Sequence, residues 1–200
     1  MNHTEYGFYA LLWLSFAVVH SVLASTWAKQ LLNPLFGRSY RLSYNLFSAL
    51  HIGLILVGGR MWLGANAVNL DLGSEFEFFI TTSRWVGVGI ILAALTQYDL
   101  GYFGGLKQLR RDQDSAADDE PLHITGMHRY VRHPLYLGAY FFLWGGITDE
   151  FGLQTTLWGC LYLFVGTWFE ERKLVTLYGR SYIEYQQKVP AILPLRGRAI

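Results

Sequence analysis

The feature that most constrains this chain is a series of apolar runs near the length needed to cross a bilayer. A spanning helix needs about 20 mainly apolar residues, with about 17 as the lower end. Five runs qualify as candidates: residues 8–24, 42–63, 78–98, 134–147 and 153–169, the third carrying Arg84 near its start and the fourth being short. In hydrocarbon every backbone N–H and C=O needs a partner within the protein, so such runs form helices. The expectation is an all-α, polytopic membrane protein with five transmembrane helices. Only a few residues around Asp149, Glu150 and Gly152 separate the last two runs, a connection short enough to make an antiparallel helical hairpin.

Loop charge sets the orientation. With the N-terminus outside, Lys29, Arg38 and Arg41 fall on the cytoplasmic side, as do Lys107, Arg110, Arg111, Arg129 and Arg132. The tail adds Arg172, Lys173, Arg180, Lys188, Arg196 and Arg198. Arg60 and Arg84 fall outside, near helix ends where long side chains can snorkel. The outer loops hold Glu5, Asp71, Glu75, Glu77, Asp149 and Glu150. This asymmetry follows the positive-inside rule and gives N-out, C-in. A four-span count would place one basic cluster on the wrong side. The organisation expected is a three-helix transmembrane region over residues 1–100. Residues 101–200 then form a helical hairpin and a cytoplasmic helical region.

Composition limits the partners. Charged residues make up 16% of the 200 residues, against about 25% in soluble domains. A net charge of +1 leaves no basic excess for a phosphate backbone, so no nucleic-acid partner is expected. The single cysteine, Cys160, lies in an apolar run and reads as a small buried hydrophobe. It can form no intrachain disulfide, and no metal site is expected. Residues 1–5 lack the positive stretch of a signal peptide, so the first run is expected to be retained.

Two segments depart from the membrane pattern. Residues 107–120 include Asp112, Asp114, Asp118, Asp119 and Glu120 and read as a solvated loop. After the fifth run, Leu174, Leu177 and Tyr178 recur at helical spacing, so a helix is expected to continue to Gly179. A second short helix puts Tyr182 and Tyr185 on one face, and Pro190 and Pro194 end it.

Two clusters could carry chemistry. In Arg132-His133-Pro134 the proline suits the first turn of a helix, which puts His133 at the helix start. Free N–H groups and the positive dipole end gather there, and Arg132 adds a forked donor. A seat for a carboxylate or phosphate and a plain basic interface segment both fit this pattern. One turn in, Gly138 allows a ligand or another helix to approach. The second cluster is Glu170-Glu171, at the end of the fifth run. Adjacent carboxylates beside hydrocarbon are costly unless paired. They read either as a solvated helix exit or as a holder for a cation or sugar hydroxyls, as S-adenosylmethionine would present. The hairpin brings both clusters to one membrane face. Within the bilayer His20, Asn45 and His51 are polar: Asn45 reads as an interhelical hydrogen bond, while the histidines stay open between that and a function. Gly87-Val88-Gly89 reads as helix packing.

These residues also carry a family resemblance. Arg132-His133-Pro134-Leu135-Tyr136-Leu137-Gly138 resembles the RHPxYxG motif of the isoprenylcysteine carboxyl methyltransferase and phospholipid methyltransferase superfamily. Glu170-Glu171-Arg172-Lys173-Leu174, followed by Tyr178-Gly179, Tyr182, Tyr185, Val189-Pro190 and Pro194, resembles its second motif. In the N-terminal half, His20-Ser21, Tyr40-Arg41 and Tyr44-Asn45 look like the NnrU and nurim-type branch. Asp99, Phe103-Gly104 and Gln108 look like methanethiol S-methyltransferases, as does Phe169-Glu170-Glu171-Arg172.

The resemblance implies a membrane enzyme that binds S-adenosylmethionine without a Rossmann domain and methylates a small or lipophilic acceptor. It implies cofactor contacts from Gln108, Leu122, His123, His133, Leu135, Tyr136 and Glu170, with Glu170 and His128 as catalytic candidates. Two departures from the family pattern matter, and the second favours an uncharged or thiol acceptor over a carboxylate. His128 stands where the family usually has Tyr. Gly166 stands where the carboxyl methyltransferases have a substrate-binding arginine. The alternatives are an isoprenylcysteine carboxyl or phospholipid methyltransferase and a non-catalytic NnrU or nurim-like membrane protein. The expected location is a bacterial inner membrane, with the active site facing the cytoplasm.

Overall fold

The computed structural model describes residues 1–110, 122 and 124–195. Nine α-helices are formed among the described residues: α1 (His3–Ala24), α2 (Thr26–Phe36), α3 (Tyr40–Trp62), α4 (Ser74–Leu95), α5 (Leu100–Gly104), α6 (Leu106–Arg110), α7 (Pro134–Trp144), α8 (Glu150–Tyr178) and α9 (Arg180–Lys188). The only β-pairing among the described residues is an isolated antiparallel bridge between Asn69 and Asp149.

Three helical stretches, His3–Ala24, Thr26–Asn66 and Ser74–Leu95, are long and apolar enough to cross a membrane. They contain the first two expected runs and residues 78–95 of the third, and Leu11, Leu14, Leu50, Leu54, Phe78 and Phe79 stand exposed on them. Water would penalise that surface, whereas lipid accepts it. The fourth run forms α7 with only 11 residues, a helix of about 16 Å against a hydrocarbon core of about 30 Å. Helix α8 has 29 residues, but Gln154, Thr155, Thr156 and Thr167 dilute its apolar stretch. The basic connection expected between the first two runs holds α2, which exposes Trp27, Leu31 and Leu35 along one stripe. The expected solvated acidic stretch from Asp112 to Glu120 lies outside the described residues.

The chain forms two compact units, and α8 contributes to both. One holds Met1–Asn69, residues 98–110 and Asp149–Trp158. Asn2 opens α1 with a capping box, its side chain accepting from Glu5 N–H while the Glu5 carboxylate accepts from Asn2 N–H. Helices α1 and α3 are joined by short polar contacts. Tyr44 hydroxyl lies 2.8 Å from His20 Nε2, His20 Nδ1 lies 3.2 Å from Ser48 Oγ, and His51 Nε2 lies 3.3 Å from Ser15 Oγ. At the far end of α3, the half-exposed Arg60 pairs with buried Asp149, and the N-terminal ammonium pairs with Glu150.

The second unit holds Leu70–Gln97, residue 122, residues 124–148 and residues 159–195. Here α4 and α7 pack along glycines. A Cβ on Gly87 would lie 2.4 Å from Phe142 N, and one on Gly138 would lie 2.7 Å from Ile91 Cγ1. Only glycine lets two backbones approach this closely, so the neighbour that Gly138 admits is a helix. The helical hairpin is present: Tyr140 on α7 donates from its hydroxyl to Cys160 C=O on α8 at 3.4 Å. Gly179, at φ +58°, ends α8 at the expected place. Helix α9 then buries Tyr182 and Tyr185 on one face, against Leu174, Val175, Tyr178 and Leu122.

Candidate active site

The start of α7, the end of α8 and the segment after α9 converge in the second unit. His133 is buried at the N-cap of α7, and its ring stacks on Tyr136 with centroids 5.3 Å apart. The N–H groups of Arg132 and His133 donate to the carbonyls of Pro190 and Ala191 at 2.9 and 3.0 Å. The segment after α9 is thus pinned to the residues that open α7. The first-turn N–H of Leu135 keeps no intrahelical acceptor, as at any helix start.

Glu171 is the centre of the polar network. Its two oxygens accept a fork from Arg132, with Nε–Oε1 and Nη2–Oε2 both at 2.8 Å. His133 Nε2 lies 2.6 Å from Oε1, Tyr182 hydroxyl donates to Oε1 at 2.9 Å, and Gln186 Nε2 donates to Oε2. Arg132 also donates from Nη1 to the carbonyls of Gln186 and Val189. Burial pushes the Glu171 carboxyl up, but the hydrogen bonds from His133, Arg132 and Gln186 outweigh it and hold it well below the usual carboxylate range. Burial, then the negative charge of Glu171, raises the Tyr182 phenol above its ordinary value. Tyr182 thus stays a proton donor to Glu171.

Glu170 has a different environment. Its Oε2 is enclosed, lies 3.5 Å from His133 Nδ1 and makes no hydrogen bond among the described residues. The side chain as a whole is 40% exposed. One carboxylate of the pair is thus consumed by the fold and the other retains accepting capacity beside His133 and Tyr136.

The remaining expected residues are placed as follows. Leu135 lies in the first turn of α7, between His133 and Tyr136. Leu122 packs against the α9 cluster. His128 Nδ1 lies 3.2 Å from Arg132 C=O, and its own carbonyl accepts from Tyr185 hydroxyl. Gln108 belongs to the first unit, on α6, where Nε2 donates to Tyr102 C=O at 3.1 Å. His123 lies outside the described residues. Sequence reasoning missed Glu171 as the centre and Gln186 as its partner. The spacing of Tyr182 and Gln186, one helical turn apart on the face that meets Glu171, is the signal that could have found them.

An open groove of about 710 Å³ runs beside Glu171. Its apolar wall includes Tyr140, Phe164, Trp168 and Val175, and its polar groups include Thr167 and Arg172. The Arg172 guanidinium lies 3.6 Å from the Trp168 ring centroid.

The sequence has relatives that are named as methyltransferases. The chain is similar to a methanethiol S-methyltransferase of Pseudomonas deceptionensis, with 30% identity over 189 residues, covering 90% of this chain and 69% of the relative. The chain belongs to the isoprenylcysteine carboxyl methyltransferase-like superfamily. A second member of this superfamily, methanethiol S-methyltransferase 1 of Bradyrhizobium diazoefficiens, is 29% identical over 194 residues, covering 93% of this chain and 66% of the relative. The protein-S-isoprenylcysteine O-methyltransferase of Schizosaccharomyces pombe is 35% identical over 85 residues, 38% of this chain and 34% of that protein. The chain spans about two thirds of the length of the two bacterial relatives. No protein-family model and no solved structure matches the chain. The superfamily membership and the long apolar helices make this chain an integral membrane methyltransferase.

Proposed function

We propose that this methyltransferase transfers the methyl group of S-adenosylmethionine to a small or lipophilic thiol. The observation that carries the reading is the divided role of the Glu170-Glu171 pair. Glu171 locks Arg132, His133 and α9 together, while Glu170 keeps an enclosed, unbonded oxygen. An enclosed carboxylate oxygen without a donor fits an ammonium, a sulfonium or a ribose hydroxyl, all of which this cofactor carries. His133, Leu135, Tyr136 and Glu170 would hold it, and the family resemblance adds Leu122, His123 and Gln108 as expected cofactor contacts. When bound, S-adenosylmethionine supplies an electrophilic methyl group on a positively charged sulfur.

The chain's residues supply position, charge and a proton acceptor. Tyr136 and His133 hold their rings stacked and nearly parallel, and Glu171 fixes the His133 ring by accepting at Nε2. A thiol must lose its proton to become nucleophilic. His128 takes that proton. Methyl transfer needs no covalent enzyme intermediate, and holding the reactants aligned away from water supplies much of the rate. The groove along Phe164 and Trp168 gives a lipophilic acceptor a path from the bilayer.

The topology in this reading has five crossings, N-out and C-in, in a bacterial inner membrane with the site facing the cytoplasm. The three-helix region of residues 1–100 precedes the hairpin and cofactor-binding region of residues 101–200. The meeting of the N-terminus, Arg60, Asp149 and Glu150 supports placing those chain ends on one face. Helix α7 is the short member, and a thinned bilayer accommodates it.

The test is an acceptor panel in proteoliposomes: a small alkyl thiol, an isoprenylated cysteine and a phospholipid amine, with methylated product measured for each. The thiol is expected to be methylated with the highest kcat/KM. Preference for the isoprenylated cysteine would instead favour the reading suggested by the fission yeast relative. Gly166 itself supplies no cation for that carboxylate.

A further inference from the structure

Helix α2 differs in kind from the helices it joins. Ser25 alone separates it from α1, and Gly37–Ser39 separate it from α3. Both neighbours lie in stretches long and apolar enough to cross a membrane. With 11 residues, α2 itself covers about 16 Å, roughly half of a hydrocarbon core. A helix this short, tied at both ends to crossing helices, is held at the membrane surface.

Its side chains divide by face. Trp27, Leu31 and Leu35 recur every fourth position and are 64%, 59% and 79% exposed. Ala28, on the flank of that stripe, is buried. Lys29 and Asn33 stand exposed on the opposite side. Helix α1 has no such division, with no charged side chain from Tyr6 to Val19. Pro34 lacks the N–H that would bond the Gln30 carbonyl, and water can supply that donor at an interface but not in hydrocarbon.

The surroundings of α2 are basic. Lys29, Arg38 and Arg41 lie within residues 25–44, where no Asp or Glu occurs. Asp99, which opens α5, is engaged by Lys107. An exposed apolar stripe with an interfacial Trp, backed by a polar face and flanked by cations, complements acyl chains under negative headgroups.

We propose that α2 lies in the interface plane and docks on anionic phospholipid. Trp27, Leu31 and Leu35 enter the upper acyl chains, and Lys29 and Arg38 stand at the level of the headgroup phosphates. This surface belongs to the first unit and is independent of the S-adenosylmethionine reading.

The experiment has two arms, both on the full chain. In the first, the protein is reconstituted into phosphatidylglycerol-containing nanodiscs with lipids brominated either near the headgroup or at the chain end. The emission of Trp27 is taken as the difference between wild type and Trp27→Phe. Stronger quenching by bromine near the headgroup is expected. An unquenched Trp27, as a second copy covering the stripe would give, overturns the inference, and so does stronger quenching from the chain end. In the second arm, detergent-purified wild type and Lys29→Gln/Arg38→Gln are titrated with phosphatidylglycerol and followed by thermal unfolding. Each cation near an anionic surface corresponds to roughly fivefold in affinity, so the double variant is expected to need about 25-fold more lipid for the same stabilisation. Each single variant gives the fivefold step should the double variant not fold. Equal midpoints in wild type and the folded variants, or equal stabilisation of wild type by glycerol phosphate without acyl chains, overturns the inference.

Discussion

Two polar clusters in this molecule satisfy their buried groups in different ways. Between α1 and α3, His20, Tyr44, Ser48, Ser15 and His51 make separate contacts of 2.8 to 3.3 Å. Around α7, α8 and α9, one carboxylate, Glu171, gathers Arg132, His133, Tyr182 and Gln186. Polar contacts inside a bilayer average about 0.6 kcal/mol, because the separated helices find other partners. A buried ion pair is different in kind. Removing one partner strands the other, at a cost of about 3–5 kcal/mol. The first cluster aligns two helices, whereas the second determines whether three chain segments stay together.

Glu171→Ala should therefore be the most damaging change, leaving the mostly buried Arg132 without its carboxylate partner. The expected loss is about 3–5 kcal/mol, read as a lowered unfolding temperature in detergent. Arg132→Lys keeps the charge but loses the fork and should cost about 1.5–3 kcal/mol. A stability equal to wild type would show that point charge alone suffices. Tyr44→Phe in the first cluster should cost under about 1 kcal/mol. A loss as large as that of Arg132→Lys would erase the contrast between the clusters.

Acid sharpens the same comparison. The folded-state pKa of Glu171 lies below its ordinary value of 4.5, so its stabilisation is fully present above that pH. It is lost as pH falls through the lower, folded value. Glu171→Gln keeps the shape without the charge. The stability gap between wild type and Glu171→Gln should be widest near neutrality and narrow progressively in acid. A gap independent of pH would mean that the Glu171 charge is not what stabilises.

Much of the fold was legible because apolar period and helix breakers act locally. The first three runs, the stop at Gly179 and the shared face of Tyr182 and Tyr185 depend on residues close in sequence. Helix α2 was not legible: it has only 11 residues, contains Pro34 and lies in a stretch whose Lys29 reads as loop. For the site, the hairpin correctly brought His133 and the Glu pair to one place. It could not show which glutamate the fold consumes. That depends on the long return of residues 186–191, whose carbonyls take the donors of Arg132 and His133. Gly138 allowed two readings, and packing against Ile91 supplied the neighbour.

The most direct test of the account is calorimetric binding of S-adenosylmethionine to the detergent-purified protein beside His133→Ala and Glu170→Ala. Saturable binding by wild type that both variants lose while still folded is the predicted result. Wild-type affinity in folded Glu170→Ala, or no binding by folded wild type, would contradict the claim that Glu170 is kept free to hold the cofactor.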